Sequence, residues 1–190
     1  MSRALRAMLA VGRHRLSLGE TKKAVDWVVE DPRQLAAVVE LLWDEDRGVA
    51  GRAAHVLSLL PQKEQRRLDR WREELLGLFD ELDDNKTLWL MAGLLPRLKL
   101  NKKQALRLAE RYEKLLDEGP VRGRSIVRTM ALEGLAQLSL GVLPERRAGV
   151  VELLRMAERT GSAAMAARSR HLLKRLTDVR QSGNRHASGD

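Results

Sequence analysis

Apolar residues recur three and four apart along most of the chain, and no window shows the sustained alternation that a half-buried strand needs. This period predicts helices of roughly 12–20 residues, joined by loops of a few residues. The punctuation agrees. Asp31-Pro32 reads as an N-cap followed by proline at the first helical position, where a missing N–H costs nothing. Pro61, Pro96, Pro120 and Pro144 fall between periodic segments or at their edges. Asn101 and Gln104 have the spacing of a capping box, an amide reaching back to the cap three residues earlier. The predicted helices pair as 32–45 with 47–60, 62–82 with 85–98, 101–118 with 122–140, and 144–160 with 162–180. Residues 2–16 and 20–30 form a fifth, degenerate pair, and the polar, glycine-containing stretch 181–190 is expected to be a disordered tail.

The chain resembles itself at a period near 37. Leu41-Leu42 is followed 37 residues later by Leu78-Phe79, after another 37 by Leu115-Leu116, and after 38 by Leu153-Leu154. Each doublet ends one helix and precedes a polar turn: Asp44-Glu45-Asp46, Asp80 to Asp84, Asp117-Glu118, and Glu158 to Gly161. A second helix then begins. Its small residues, such as Ala53, Ala54, Gly93, Ala131, Gly134 and Ala166, let a neighbour approach closely, while spaced leucines form the stripe between pairs. One pair cannot bury its own stripe, so stacking supplies the core.

The second helices carry a family resemblance. The run Val49 to Leu60, with Arg52, Ala53-Ala54 and Val56-Leu57 after an Asp-rich turn, resembles the inner-helix signature of HEAT repeats. Arg128 to Leu135 and Ala163 to Leu173 are weaker copies, so the resemblance covers about residues 32–180. It implies an all-α, right-handed α-α superhelix of the armadillo type, a solenoid of about four to five HEAT-like antiparallel helix pairs. These would form one domain over 1–180, with 1–31 as the degenerate first pair. The period is a little short for HEAT and long for tetratricopeptide repeats, whose Trp-x-x-Leu-Gly pattern is absent. An irregular helical bundle is the alternative, and the regular spacing is the argument against it.

Composition narrows the chemistry. The 190 residues contain 44% hydrophobic positions but one Phe and one Tyr, so Leu and Ala dominate, as unbranched helix formers do. There is no cysteine, which excludes disulfides, thiolate-held metal and thiol nucleophiles. The apolar stretch Ala7–Val11 is too short for a signal peptide, and no run is long enough to span a membrane; a cytoplasmic protein without membrane contact is the expectation. Of the net charge of +9, residues 121–190 contribute +7, with 13 Lys and Arg against 6 Asp and Glu.

No catalytic, cofactor or metal site is expected. His14, His55, His171 and His186 form no ligand-spaced pair, and His55 reads as a surface histidine off the Val49–Ala53–Val56–Leu57–Leu60 stripe. Gly119 to Arg124 lacks the Lys-Ser/Thr of a phosphate loop and reads as a turn. Asp80 to Asn85 lacks EF-hand spacing and reads as a solvated turn favouring the next helix. Trp27, Trp43, Trp71 and Trp89 read mostly as packing between pairs. Trp89 groups with Gly93 and Arg97 on a helical arc opposite Leu88–Met91–Leu95 and is also a candidate binding anchor.

The candidate partner surface is therefore Trp89, Arg97, Arg124, Arg128, Arg168, Arg170, Lys174 and Arg175. The last helix presents Arg170 and Lys174 outward while Met165, Leu172, Leu173 and Leu176 point inward. Arg122, Arg124 and Arg128 lie on the preceding second helix. A basic strip of this kind could neutralise phosphates, or simply be the polar face a terminal repeat needs. Three readings stay open. One is a protein-binding scaffold, the usual occupation of HEAT-like solenoids; a second is a nucleic-acid-binding module. The third resembles the alkylpurine glycosylases built from HEAT-like repeats, for which the chain offers Trp89 and Glu133 but no matching Asp–Trp constellation.

Overall fold

The computed structural model describes residues 3–11, 20–117 and 125–187, with side chains through 178. Every element among them is helical. Two compact units, Met1–Lys99 and Leu100–Asp190, divide the chain.

Unit 1 comprises α1 (Arg3–Ala10), α2 (Thr21–Glu30), α3 (Gln34–Glu40), α4 (Arg47–Leu59), the single turn α5 (Gln62–Gln65), α6 (Arg72–Glu81) and α7 (Asn85–Leu94). Short 3-10 segments extend three of them: Leu41–Trp43 after α3, Arg66–Trp71 after α5, and Leu95–Arg97 after α7. α4 sits at the centre, packed by α1, α2, α3 and α7. Val49, Ala53, Ala54, Val56 and Leu57 are fully buried, so the Ala-Ala pair does let neighbours approach. Each fully buried leucine or valine contributes about 1.5–3 kcal/mol relative to exposure, which is why a helix apolar on nearly every side occupies the interior. α7 has the same character: Leu88, Leu90, Met91, Ala92 and Leu94 are all buried.

Unit 2 comprises α8 (Lys102–Asp117), α9 (Ser125–Leu140), a 3-10 turn over Pro144–Arg146, α10 (Arg147–Thr160) and α11 (Ala163–Ala187). α8 packs on α9, α10 on α11, and α9 also packs on α10 and α11. Tyr112 of α8 is the largest fully buried side chain among the described residues, and Gly134 of α9 makes room for it. A Cβ at Gly134 would stand 2.7 Å from Tyr112 Cζ and 2.9 Å from its Oη. Burial pushes the Tyr112 phenol well above its ordinary range, since the charged form would lose its hydration.

The polar turns act as helix caps. Asp46 Oδ1 accepts from the Gly48 and Val49 amides at 2.7 and 3.3 Å, and Asp84 Oδ1 from Thr87 at 2.9 Å. The Asn101–Gln104 capping box is reciprocal, with both bonds at 2.9 Å. Second helices begin at Arg47, Asn85, Ser125 and Ala163, 38, 40 and 38 residues apart. In each leucine doublet at least one side chain is buried: Leu41 and Leu42, Phe79, Leu115, Leu154.

Three expectations need adjusting. Asp31 does not cap a helix beginning at Pro32. Its carboxylate bonds the Arg33 amide two residues on, an Asx turn, and α3 starts at Gln34. Leu173 is half-buried rather than inward. α11 continues to Ala187, through residues 181–187 that the sequence assigns to a tail.

Candidate functional site

The basic face expected on the last helices belongs to unit 2. α11 presents Arg170, Lys174 and Arg175 to solvent, with His171 beside them, while Met165, Leu172 and Leu176 are buried. The outward set thus follows from helical spacing once the apolar set is packed against α9 and α10. Ser162 Oγ accepts from the Met165 amide at 3.3 Å and fixes the start of α11, as an N-cap serine does.

Arg168 behaves differently from its neighbours. Its guanidinium donates to both carboxylate oxygens of Glu133 on α9, Nε to Oε2 at 3.2 Å and Nη2 to Oε1, a two-pronged pairing that also sets direction. Arg170 stands 3.9 Å from Glu158 with 60% of its side chain exposed. Arg128 is half-buried on α9, and its Nε is shielded without a hydrogen-bond partner among the described residues. The face is therefore not a continuous cationic strip: a carboxylate of α9 takes up one of the α11 cations. Other cations of the unit are engaged too, Arg146 with Glu113 at 2.6 Å, Lys102 with Glu145 at 2.7 Å, and Arg155 with Glu152 at 2.7 Å. Glu133, the carboxylate of the glycosylase reading, is spoken for by Arg168.

In unit 1, Trp89 is half-buried and Arg97 exposed, on the side of α7 away from the buried Leu88, Met91 and Leu95. Arg122, Arg124, His14 and His186 lie outside the residues whose side chains are described. No three or more His, Asp or Glu gather to hold a metal ion among the described residues. Of the Asp80–Asn85 stretch, Asp84 caps α7 and Asp83 meets Arg47 at 3.4 Å. No helix among the described residues is long and apolar enough to cross a membrane.

Three features escape the sequence pattern. Arg52 is 3% exposed, and its Nε donates to the Leu9 carbonyl at the end of α1. Gly48 makes this possible, since a Cβ there would stand 3.0 Å from Arg52 Nη2. His55 is half-buried, not on the surface, one turn further along α4. Burial lowers its pKa, and the charge of Lys86 lowers it further. Trp43, expected in packing, is 50% exposed because the 3-10 turn after α3 swings it out while Leu41 and Leu42 take the interior. An apolar residue directly after a buried doublet is the only trace of this in the sequence.

Set against known proteins, the chain matches no family model, no curated protein and no solved structure.

Proposed function

We propose that the chain is a non-enzymatic binding scaffold built from HEAT-like helix pairs in a right-handed superhelix, and that its partner is another protein. The near-regular starts of the second helices, 38–40 residues apart, support the repeat reading. The observation that carries the partner class is the face shared by α9 and α11. There Glu133 of α9 holds Arg168 of α11, while Arg170, Lys174 and Arg175 of the same helix face outward. Interleaved signs give register against a protein surface, where mixed charge is met by mixed charge. A phosphate backbone asks instead for uninterrupted cations.

The second reading, a nucleic-acid-binding module, is favoured by one fact. Unit 2 holds 18 Lys and Arg against 10 Asp and Glu, a net +8. One titration separates the two. Labelled DNA duplex and single-stranded RNA are titrated with the protein at low and then at about 0.15 M salt, where screening is about 8 Å in range. The scaffold reading expects no binding even at low salt. Micromolar binding that falls steeply with salt, and is abolished by R170E/K174E/R175E, would replace it with the nucleic-acid reading.

A further inference from the structure

Unit 1 carries a cleft lined by none of the residues that the sequence offers for partner binding. It is a half-open groove of about 670 Å³ lined by Asp31, Pro32, Arg33, Leu35, Arg67 and Arg70, a volume within the roughly 300–1,000 Å³ of ligand clefts. Leu35, 1% exposed, is its apolar floor. Three arginines and one aspartate share the lining, and each guanidinium has one tether. Arg33 Nε donates to Asp31 Oδ1 at 2.8 Å, although 91% of its side chain faces solvent. Arg67 pairs at 2.8 Å with Glu64, which is itself buried. Arg70 lies over the Trp71 ring, 3.7 Å from its centroid. The tethers remove much of the rotamer freedom that an arginine otherwise loses on binding, and they leave further N–H donors of each fork unspent.

The lone acid of the lining takes the Nε/Nη2 edge of Arg33, at 2.8 and 3.4 Å, and leaves that fork its remaining Nη1 donors. Asp31 already accepts from Arg33 and from the Gln34 amide at 3.0 Å. What remains is a set of preorganised forks above a leucine and a proline, which suits a carboxylate carried next to an apolar side chain. Unit 1 as a whole holds 17 Lys and Arg against 16 Asp and Glu. It has little long-range field to gather a polyphosphate, so local geometry must do the recognising. We propose that this cleft is a docking site for a short acidic segment of a partner protein, its carboxylates taken by Arg33, Arg67 and Arg70 and its apolar side chain seated on Pro32. The proposal rests on the scaffold reading but uses a different unit from the α9–α11 face.

The test is anisotropy of a short labelled peptide alternating glutamate and leucine, titrated with the full chain, beside the same peptide with glutamine for glutamate. R33Q/R70Q leaves the Arg67–Glu64 pair in place and should weaken the acidic peptide roughly tenfold or more, the scale of lost charge-assisted bonds. R33K/R70K keeps the charge without the fork and should recover part of that loss, and circular dichroism checks that both variants stay folded. R170E/K174E/R175E should bind the acidic peptide as the wild type does. Equal binding of the glutamine peptide, wild-type binding by R33Q/R70Q, no binding at all, or displacement by free glutamate at the peptide's own concentration would each overturn the cleft assignment. Loss of binding in the α11 variant alone would overturn it too, while leaving the scaffold reading with its other face.

Discussion

The two units do not put charge to use in proportion to how much of it they carry. Unit 2 is the basic one, +8 against +1, yet the guanidinium driven into an interior, Arg52, belongs to nearly neutral unit 1. The aromatic residues are split as sharply: Trp27, Trp43, Trp71, Trp89 and Phe79 are in unit 1, and Tyr112 alone is in unit 2. Unit 1 interrupts its helices with 3-10 turns, whereas those of unit 2 run 14 to 25 residues. Net charge thus says little about where charge is put to structural use. Where the cations of unit 2 pair, they do so largely at the surface, and surface pairs contribute about 0–1 kcal/mol each. A single guanidinium under a helix end is another matter.

Arg52 gives the largest expected effect. Arg52→Ala leaves the Leu9 carbonyl without its donor and opens a cavity beside Gly48, at a cost of about 3 kcal/mol. Arg52→Met restores volume but not the hydrogen bond and should recover part of that loss. Urea unfolding followed by tryptophan emission reads unit 1 directly, since all four tryptophans are there. Wild-type stability in Arg52→Ala would erase the contrast between the units.

The counterpart in unit 2 is Gly134. Alanine there gains up to about 1 kcal/mol in helix propensity, but its Cβ collides with the Tyr112 ring. Overpacking of this kind costs about 1–3 kcal/mol, so net destabilisation is expected in thermal unfolding followed by far-UV circular dichroism. Adding Tyr112→Leu should relieve the clash, and non-additivity in the double variant is the diagnostic. If Gly134→Ala is neutral with Tyr112 in place, the ring is free to move, and unit 2 is the more plastic unit.

These two sites also mark where sequence reading stops. The helix spans, the 38–40 residue recurrence and the Asn101–Gln104 box are legible because each rests on contacts within a few residues. The Asp31 turn is nearly so; the same carboxylate can cap a helix or close an Asx turn, and the choice falls one bond later. Arg52 is not legible, because its partner lies 43 residues away. Nor is the Arg168–Glu133 pair, separated by 35, which turns an expected cationic strip into a mixed face. The outward Arg170, Lys174 and Arg175 could be read from the helical period. The cleft of Arg33, Arg67 and Arg70 could not, since it joins two segments more than thirty residues apart that read as ordinary helix.

The caps come next in size. Asp84→Ala removes a 2.9 Å bond to the Thr87 amide and should cost unit 1 about 1 kcal/mol. Ser162→Ala removes a longer 3.3 Å bond from unit 2 and should cost about half as much. Equal losses by chemical denaturation would mean that cap charge adds nothing to cap geometry here.

The smallest effect is a matter of pH. Hydrogen bonds from Arg33 and then Gln34 lower the Asp31 pKa to about 2, from 3.8. A carboxylate with a depressed folded pKa adds stability that is complete above its unfolded value and is lost as pH falls through the folded one. Asp31→Asn should therefore be less stable than the wild type at neutral pH, and the gap should close between about pH 4 and pH 2. In unit 2, Lys102 lowers the Glu145 pKa in the same direction, so Glu145→Gln should close its gap with the same sign. Salt then separates the two. At about 1 M the Debye length is about 3 Å, and an exposed Lys–Glu pair is largely screened. Asp31 also accepts from the neutral Gln34 amide at 3.0 Å and from the Arg33 backbone amide at 3.2 Å, bonds that added salt weakens far less. The Asp31→Asn gap should outlast the Glu145→Gln gap at high salt. If both vanish together, Asp31 is held by charge alone, and the arginine cleft is less rigid than its geometry implies.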